Sequence, residues 1–393
     1  MHNFKEGPGE AAIKALLPTY RPYPFVLVSG KGEQVFDEEG NAYLDFYGGH
    51  CVASTGHCHP AVAAAIAEQA HKLIFYSAAA QLPVRAAAAQ ALVDFAGANM
   101  ASVFFCNSGA EANESALKIA LKLTGRKKFA AFQGAFHGRT LLALSVTDAP
   151  ALRKDYAALL VPSTFLPFAD HAALDVADFS NVAAVIVEPI QSMAGVKAAS
   201  AEWFVALREK CSAAGTLLIF DEVQTGIGRL GTPFAANFYG VAPDIITCAK
   251  GMASGVPMGG VLMSAAVAGQ LQPGDLGSTF GGGPLACAAL IATFKVIQDE
   301  NLMQRAATLA KQIRASINHY VVNKVHGEGL LLGLNAGVQA KALKAYLLDK
   351  RILVGGSDDP NVLRLMPPLT VSTQAVEALL NAIHEFQAQG AAA

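Results

Sequence analysis

Apolar residues come along this chain in short blocks that close on polar or glycine-rich stretches, and between the blocks apolar positions recur at helical spacing. A short apolar run bounded by turn residues marks a buried strand, and an i, i+3, i+4 recurrence marks an amphipathic helix. On that basis strands are predicted over 102–106, 182–187, 216–220 and 244–249. Helices are predicted over 60–73, 83–95, from about 112 to 123, over 303–320 and over 373–386. Residues 34–46 read as a hairpin with its turn at Glu39, Gly40 and Asn41. The first 30 residues, punctuated by Pro8, Pro18, Pro22 and Pro24, read as an irregular arm laid over the rest. Strand and helix patterns alternate to roughly residue 300, and a smaller α+β unit follows with strands near 330–334 and 362–365. The closing alanines 391–393 are expected to fray.

That alternation predicts an α/β fold with a large, mostly parallel sheet and a smaller C-terminal α+β part. The division expected is an arm and hairpin over 1–50 belonging with the small domain, a large domain over 51–300, and a small domain over 301–393. Three predicted strands end on reactive side chains: one on Glu188, one on Asp221 and one on Lys250. Ligands of open α/β sheets sit outside the carboxyl ends of the strands, so these three residues mark a site. A lysine there is costly to desolvate, and its amine tends to lose its proton or form a covalent bond. The strand over 102–106 runs into Asn107, Ser108, Gly109 and Ala110 and then a helix. Free N–H groups and the helix dipole make such a turn an anion cradle, although an ordinary cap by Ser108 accounts for the stretch equally well.

An aldehyde cofactor such as pyridoxal phosphate needs an amine for a Schiff base, an acid for its ring nitrogen, a phosphate anchor and an aromatic ring against its face. Lys250, Asp221, the turn Ser108, Gly109 and Ala110, and Phe136 offer all four. Each alone has a plain reading, as a surface lysine, a helix cap or a core phenylalanine, and the combination is what points to the cofactor.

Composition narrows the rest. The 393 residues can bury a large core in two or three domains. Hydrophobic residues at 53% against 15% charged fit a well-buried enzyme or an extensive subunit interface. The apolar runs are strand-length, residues 1–20 lack a secretory pattern, and a net charge of -2 gives no case for nucleic acid. Six cysteines in mostly apolar surroundings read as reduced thiols of a cytoplasmic protein. The glycines at 226, 228 and 231 match a dinucleotide-binding pattern, but Pro233 stands where its helix should begin. His50, Cys51, His57, Cys58 and His59 lack the spacing of a zinc site, so no metal is expected. Neither Ser108 nor Ser278 has the surroundings of a hydrolase nucleophile.

With those residues in hand, the chain resembles the class III (ω-amino) pyridoxal-phosphate aminotransferases, and within them the acetylornithine aminotransferases. The resemblance is carried over nearly the whole length by Leu44-Asp45-Phe46, Gly56-His57-Cys58-His59-Pro60, the 107–112 turn, 136–140, Glu188-Pro189, 221–226, Lys250-Gly251, 277–280, and Arg364 with Pro367-Pro368-Leu369. It implies a fold type I transferase that binds pyridoxal 5'-phosphate and moves the terminal amino group of N2-acetylornithine to 2-oxoglutarate in arginine or lysine biosynthesis. Rivals within the class are a carrier-protein-linked lysine or ornithine aminotransferase and ornithine or 4-aminobutyrate aminotransferases. By the same resemblance Lys250 is the Schiff-base lysine, Asp221 pairs with the pyridinium nitrogen, and Gln224 bonds the ring hydroxyl. Ser108, Gly109 and Ala110 hold the phosphate, joined by Thr279 of the neighbouring subunit in a homodimer with shared sites, and Phe136 stacks on the ring. Arg139 grips the substrate α-carboxylate and Ser278 touches substrate. Glu188 masks Arg364 for the donor and releases it for the carboxylate of glutamate or 2-oxoglutarate. Two positions depart from the family pattern: Gly283 stands where asparagine is common, and His50 where an apolar residue is common.

Overall fold

The computed structural model describes residues 16–17, 19–20, 22–97, 99–317 and 320–387. Most of the expected arm and the alanine tail lie outside them.

Chain order begins with strands β1 (Leu27–Lys31), β2 (Gln34–Asp37) and β3 (Ala42–Asp45), followed by β4 (Met100–Cys106), β5 (Phe129–Phe132), β6 (Ser163–Leu166) and β7 (Ala184–Val187). Then come the short β8 (Ile190–Gln191) and β9 (Lys197–Ala198), β10 (Leu217–Asp221), β11 (Ile245–Cys248) and β12 (Gly259–Ser264). The last are β13 (Lys324–Glu328), β14 (Leu331–Asn335), β15 (Ile352–Leu353) and β16 (Val362–Leu365).

Seven of these form the central sheet in the order β4-β12-β11-β10-β7-β5-β6. Every pairing in it is parallel except the two made by β12. Every residue of β5, β7 and β11 is buried, because helices cover both faces; such strands read as unbroken apolar runs and not as alternation. The two faces take alternate side chains. Phe132, Val187, Phe220 and Ile246 pack on one side with Trp203 and Phe204, while Phe129, Ile186, Ile219 and Ile245 pack on the other with Ala116 and Ile119. All six cysteines are free thiols.

The hairpin of β2 and β3 turns where it was expected, with the Asp37 carboxylate accepting the Glu39 and Asn41 N–H groups. Its β3 pairs in parallel with β15, which ties the hairpin to the C-terminal part of the chain. Several expectations are corrected. Residues 27–30, assigned to an irregular arm, belong to the edge strand β1; it is mostly exposed, so no burial pattern announced it. The helix expected to reach residue 320 spans Leu302–Ser316, ending soon after its last buried residue, Ile313. Strands β13 and β15 were not anticipated, since one is half exposed and the other only two residues long.

Candidate active site

Strands β7, β10 and β11 lie side by side, so their carboxyl ends bring Glu188, Asp221 and Lys250 to one edge of the sheet. A cavity of about 540 Å³ opens there. Ser108, Gly109, Ala110, Phe136, Arg139, Glu188, Asp221, Gln224 and Lys250 all line it. Ser278, Thr279 and Arg364 are not among the residues that do.

Lys250 follows β11 at φ 46, a left-handed conformation at the start of a short 3-10 turn and not the last residue of the strand. Such a backbone costs a non-glycine residue energy, and it persists only where the surroundings over-determine it. Desolvation holds its amine below the ordinary lysine range; the Arg364 charge adds to this, while Cys51, Asp221 and Glu188 act in the opposite direction.

Asp221 closes β10 and is buried. Its Oδ2 accepts from Asn113 Nδ2 and from His137 Nδ1, each at 2.7 Å, and its Oδ1 accepts the Val223 N–H at 3.1 Å. Asn113 in turn donates to the His137 carbonyl and accepts from Thr247 Oγ1 at 2.6 Å. A carboxylate held on three sides cannot swing, so its direction is set before any ligand arrives. His137 Nε2 is buried without a hydrogen-bond partner among the described residues.

The helix Gly109–Thr124 starts beside the cavity, capped by Ser108 Oγ, which accepts the Glu111 N–H. Glu111 also reaches back to the Asn107 N–H at 2.7 Å. The first helical N–H groups, those of Gly109 and Ala110, have no acceptor within the helix. Glycine is required around this turn for space. A Cβ on Gly259 would lie 2.5 Å from the Ser108 carbonyl oxygen, and one on Gly109 would lie 2.9 Å from the Val223 methyls.

Glu188 is buried, and its Oε1 accepts the Phe136 N–H at 2.8 Å. Desolvation pushes its carboxyl above the usual range, partly offset by His137. The structure does not join Glu188 to Arg364. Arg364, on β16, is buried; its Nε donates to the Gly356 carbonyl at 2.5 Å, Nη1 to Ser192 Oγ at 3.1 Å, and Nη2 to Tyr47 Oη at 3.3 Å. No carboxylate among the described residues lies within ion-pair distance of it. Ser192 Oγ also donates to Gln224 Oε1 at 3.0 Å, so the guanidinium stands one buried hydroxyl away from the cavity lining.

Ser278 is tied to the cavity through Asn107, whose Nδ2 donates to its Oγ at 3.3 Å. Thr279 and Phe280 beside it are exposed in the single chain. The remaining candidates disperse: His57 pairs with Asp45, while His59 caps the helix Pro60–Lys72 and meets Glu300. The glycine run at 226–231 forms turns around buried Arg229, which donates to the Leu330 and Pro367 carbonyls.

Residue-by-residue reading missed Asn113, His137, Ser192 and Tyr47. His137 is next to Phe136, and Asn113 is on the helix that starts at Gly109, so closeness to recognised positions was the available signal. Ser192 and Tyr47 carry none, because only the fold brings them to Arg364.

Residues 17–386 match the family described as Aminotransferase class-III. The chain is 43% identical over 375 residues to an acetylornithine aminotransferase of Methanopyrus kandleri, covering 94% of this chain and 96% of that one. It is 37% identical over 385 residues to the acetylornithine aminotransferase of Bacillus subtilis, covering 96% and 99%. Among solved structures, the ornithine aminotransferase of Toxoplasma gondii superposes with a TM-score of 0.89 at 32% identity, over 96% of this chain and 93% of that one. The acetylornithine aminotransferase of Elizabethkingia anophelis gives 0.83 at 33%, over 96% and 98%.

Proposed function

The chain belongs to the class III aminotransferases, and on that premise we propose that it transfers the terminal amino group of N2-acetylornithine to 2-oxoglutarate, in the cytoplasm and as a homodimer, within arginine or lysine biosynthesis. The family works with pyridoxal phosphate, and the residues here fit that group. A desolvated amine below its ordinary pKa, a fixed buried carboxylate, two helix-start N–H groups with no acceptor inside their helix and a half-buried phenylalanine surround one cavity of suitable size. When bound, the cofactor supplies an aldehyde that carries the amino group and a ring that draws electrons from the substrate carbon.

Each side chain then has a task. Lys250 holds the cofactor and, once free, takes a proton at Nζ and returns it. Asp221, kept in place by Asn113 and His137, holds a proton on the ring nitrogen. Gln224, whose Oε1 is engaged by Ser192, bonds the ring hydroxyl through its amide N–H. Ser108, Gly109 and Ala110 anchor the phosphate with Thr279 of the second subunit, and Phe136 covers the ring. Arg139, exposed at the cavity edge, grips the donor's α-carboxylate, and Ser278 touches the substrate. Arg364 receives the second carboxylate of 2-oxoglutarate, and Glu188 leaves the Phe136 N–H to mask Arg364 while the donor is bound.

The observation that carries this reading is the buried guanidinium of Arg364, whose hydrogen bonds among the described residues all go to neutral oxygens, beside a cavity that holds a desolvated lysine. A buried charge without a counter-charge is costly, and an arriving carboxylate offsets that cost. Steady-state rates on N-acetylornithine, free ornithine and 4-aminobutyrate, each with 2-oxoglutarate, test it. Faster turnover of free ornithine than of the acetylated form would replace the donor assignment, and a Lys250→Ala protein with undiminished turnover would remove the chemistry.

A further inference from the structure

Between β3 and the helix Pro60–Lys72 the backbone makes an unusual turn. Gly48, Gly49, His50 and Cys51 follow one another at φ 59, 54, 75 and 64, all left-handed. Two of the four carry side chains and would avoid this conformation if left to themselves. Asp45 enforces it: its Oδ1 accepts the N–H groups of Tyr47 and Gly48, its Oδ2 accepts that of Gly49, and His57 Nε2 lies 2.9 Å from Oδ2. The outcome is that the His50 ring is set against Tyr47. Tyr47 Oη lies 2.7 Å from His50 Nδ1, while Arg364 Nη2 donates to the same Oη.

Proton counting orders this chain of groups. Tyr47 Oη accepts from Arg364 and has one proton of its own to donate, and both His50 ring nitrogens face it, Nδ1 at 2.7 Å and Nε2 at 3.1 Å, so either neutral tautomer presents it an acceptor. Desolvation of the partly exposed ring, with the Arg364 and Lys250 charges nearby, pushes the His50 pKa down to about 4, so at neutral pH the ring is uncharged and keeps one nitrogen free to accept. The Tyr47 ring packs closely on the Gly355 backbone, where a Cβ would lie 2.3 Å from it, and Gly355 exchanges backbone hydrogen bonds with Arg364 itself.

We propose that His50 is a positioning residue for Arg364, acting through the Tyr47 hydroxyl, and that it sets affinity for the dicarboxylate acceptor and not for the amine donor. This rests on the acceptor role given to Arg364 above. With an apolar residue at 50 the tyrosine hydroxyl has no acceptor, turns, and lets the guanidinium settle away from the acceptor's carboxylate.

The test uses the holoenzyme and glutarate, a five-carbon dicarboxylate with no group that can react, titrated by calorimetry, alongside steady-state kinetics. His50→Leu is expected to weaken glutarate binding and raise KM for 2-oxoglutarate by about 3- to 10-fold, the size of one hydrogen bond, with kcat/KM for the donor unchanged. His50→Gln, which keeps an acceptor, should recover most of the loss. Tyr47→Phe should reproduce it, and adding His50→Leu to Tyr47→Phe should cost nothing more. The proposal is overturned if glutarate affinity in His50→Leu equals wild type, if the donor's KM rises in place of the acceptor's, or if the two losses simply add. A wild-type protein that binds no glutarate overturns the acceptor reading and this one together.

Discussion

Gly259 tests the anion cradle without touching any side chain assigned to chemistry. It pairs with Cys106 across β12 and β4, directly behind the turn that starts the helix Gly109–Thr124. In Gly259→Ala the new Cβ would stand 2.5 Å from the Ser108 carbonyl oxygen and 2.8 Å from Cys106 Sγ. Ordinary contact begins near 3.4 Å, so the turn must move by roughly 0.9 Å, and the crowding should cost about 1–3 kcal/mol of stability. A charge-assisted hydrogen bond tolerates a range of only about 0.5 Å in length, so a shift of that size breaks one or more bonds from the Gly109 and Ala110 N–H groups to a phosphate. One such bond is worth about 1.5–3 kcal/mol, which converts to a roughly 10- to 150-fold rise in Kd for pyridoxal phosphate. Absorbance titration of the apoprotein with pyridoxal phosphate, and in parallel with phosphate-free pyridoxal, reads this directly. Affinity for pyridoxal should stay near wild type while the advantage of the phosphorylated form collapses. A folded Gly259→Ala protein that keeps the wild-type preference for the phosphate would refute the cradle.

Three other outcomes are expected. Asp221→Asn places an amide NH2 against a donor whichever way it turns, since Asn113, His137 and Val223 all donate to that carboxylate; melting should show a loss of about 1–3 kcal/mol, and turnover should fall by about 10²- to 10⁴-fold. Unchanged turnover would sink the role given to Asp221. Arg364→Lys keeps the charge but cannot serve the Gly356, Ser192 and Tyr47 oxygens with one fork, so KM for 2-oxoglutarate should rise by about tenfold or more while the donor's holds, and equal shifts in both would count against it. His50 has an ordinary pKa of 6.5, lowered to about 4 in the fold. Between those values the unfolded chain binds the extra proton, so wild type should lose stability relative to His50→Leu as pH falls through that window. A melting-temperature difference that stays constant from pH 7 to pH 5 would contradict it.

The large sheet was legible because its strands are buried on both faces and therefore announce themselves as short apolar runs, β7, β10 and β11 above all. The hairpin was legible because Asp37, Gly40 and Asn41 fix its turn chemically. Edge strand β1 was not, for an exposed strand pairs through its backbone and its side chains need obey no pattern. Within the site, Lys250, Asp221 and Glu188 could be found because each closes an apolar run. Ser192 could not: its importance lies in touching Gln224 and Arg364, 32 and 172 positions away.

Sequence alone determined which groups could do chemistry, since a reactive side chain at the end of a buried run is a local fact. It likewise settled the fold class, because burial on both faces imposes a composition on each strand. The tertiary structure decided which of those groups act together. Strand order β11-β10-β7 converts three separated segments into one cavity wall, and the left-handed turn at 48–51 aims His50 at a tyrosine that only the fold sets against Arg364. Contacts between residues far apart in the chain depend on packing that no single segment encodes, and so they appear only once the whole chain has closed on its core.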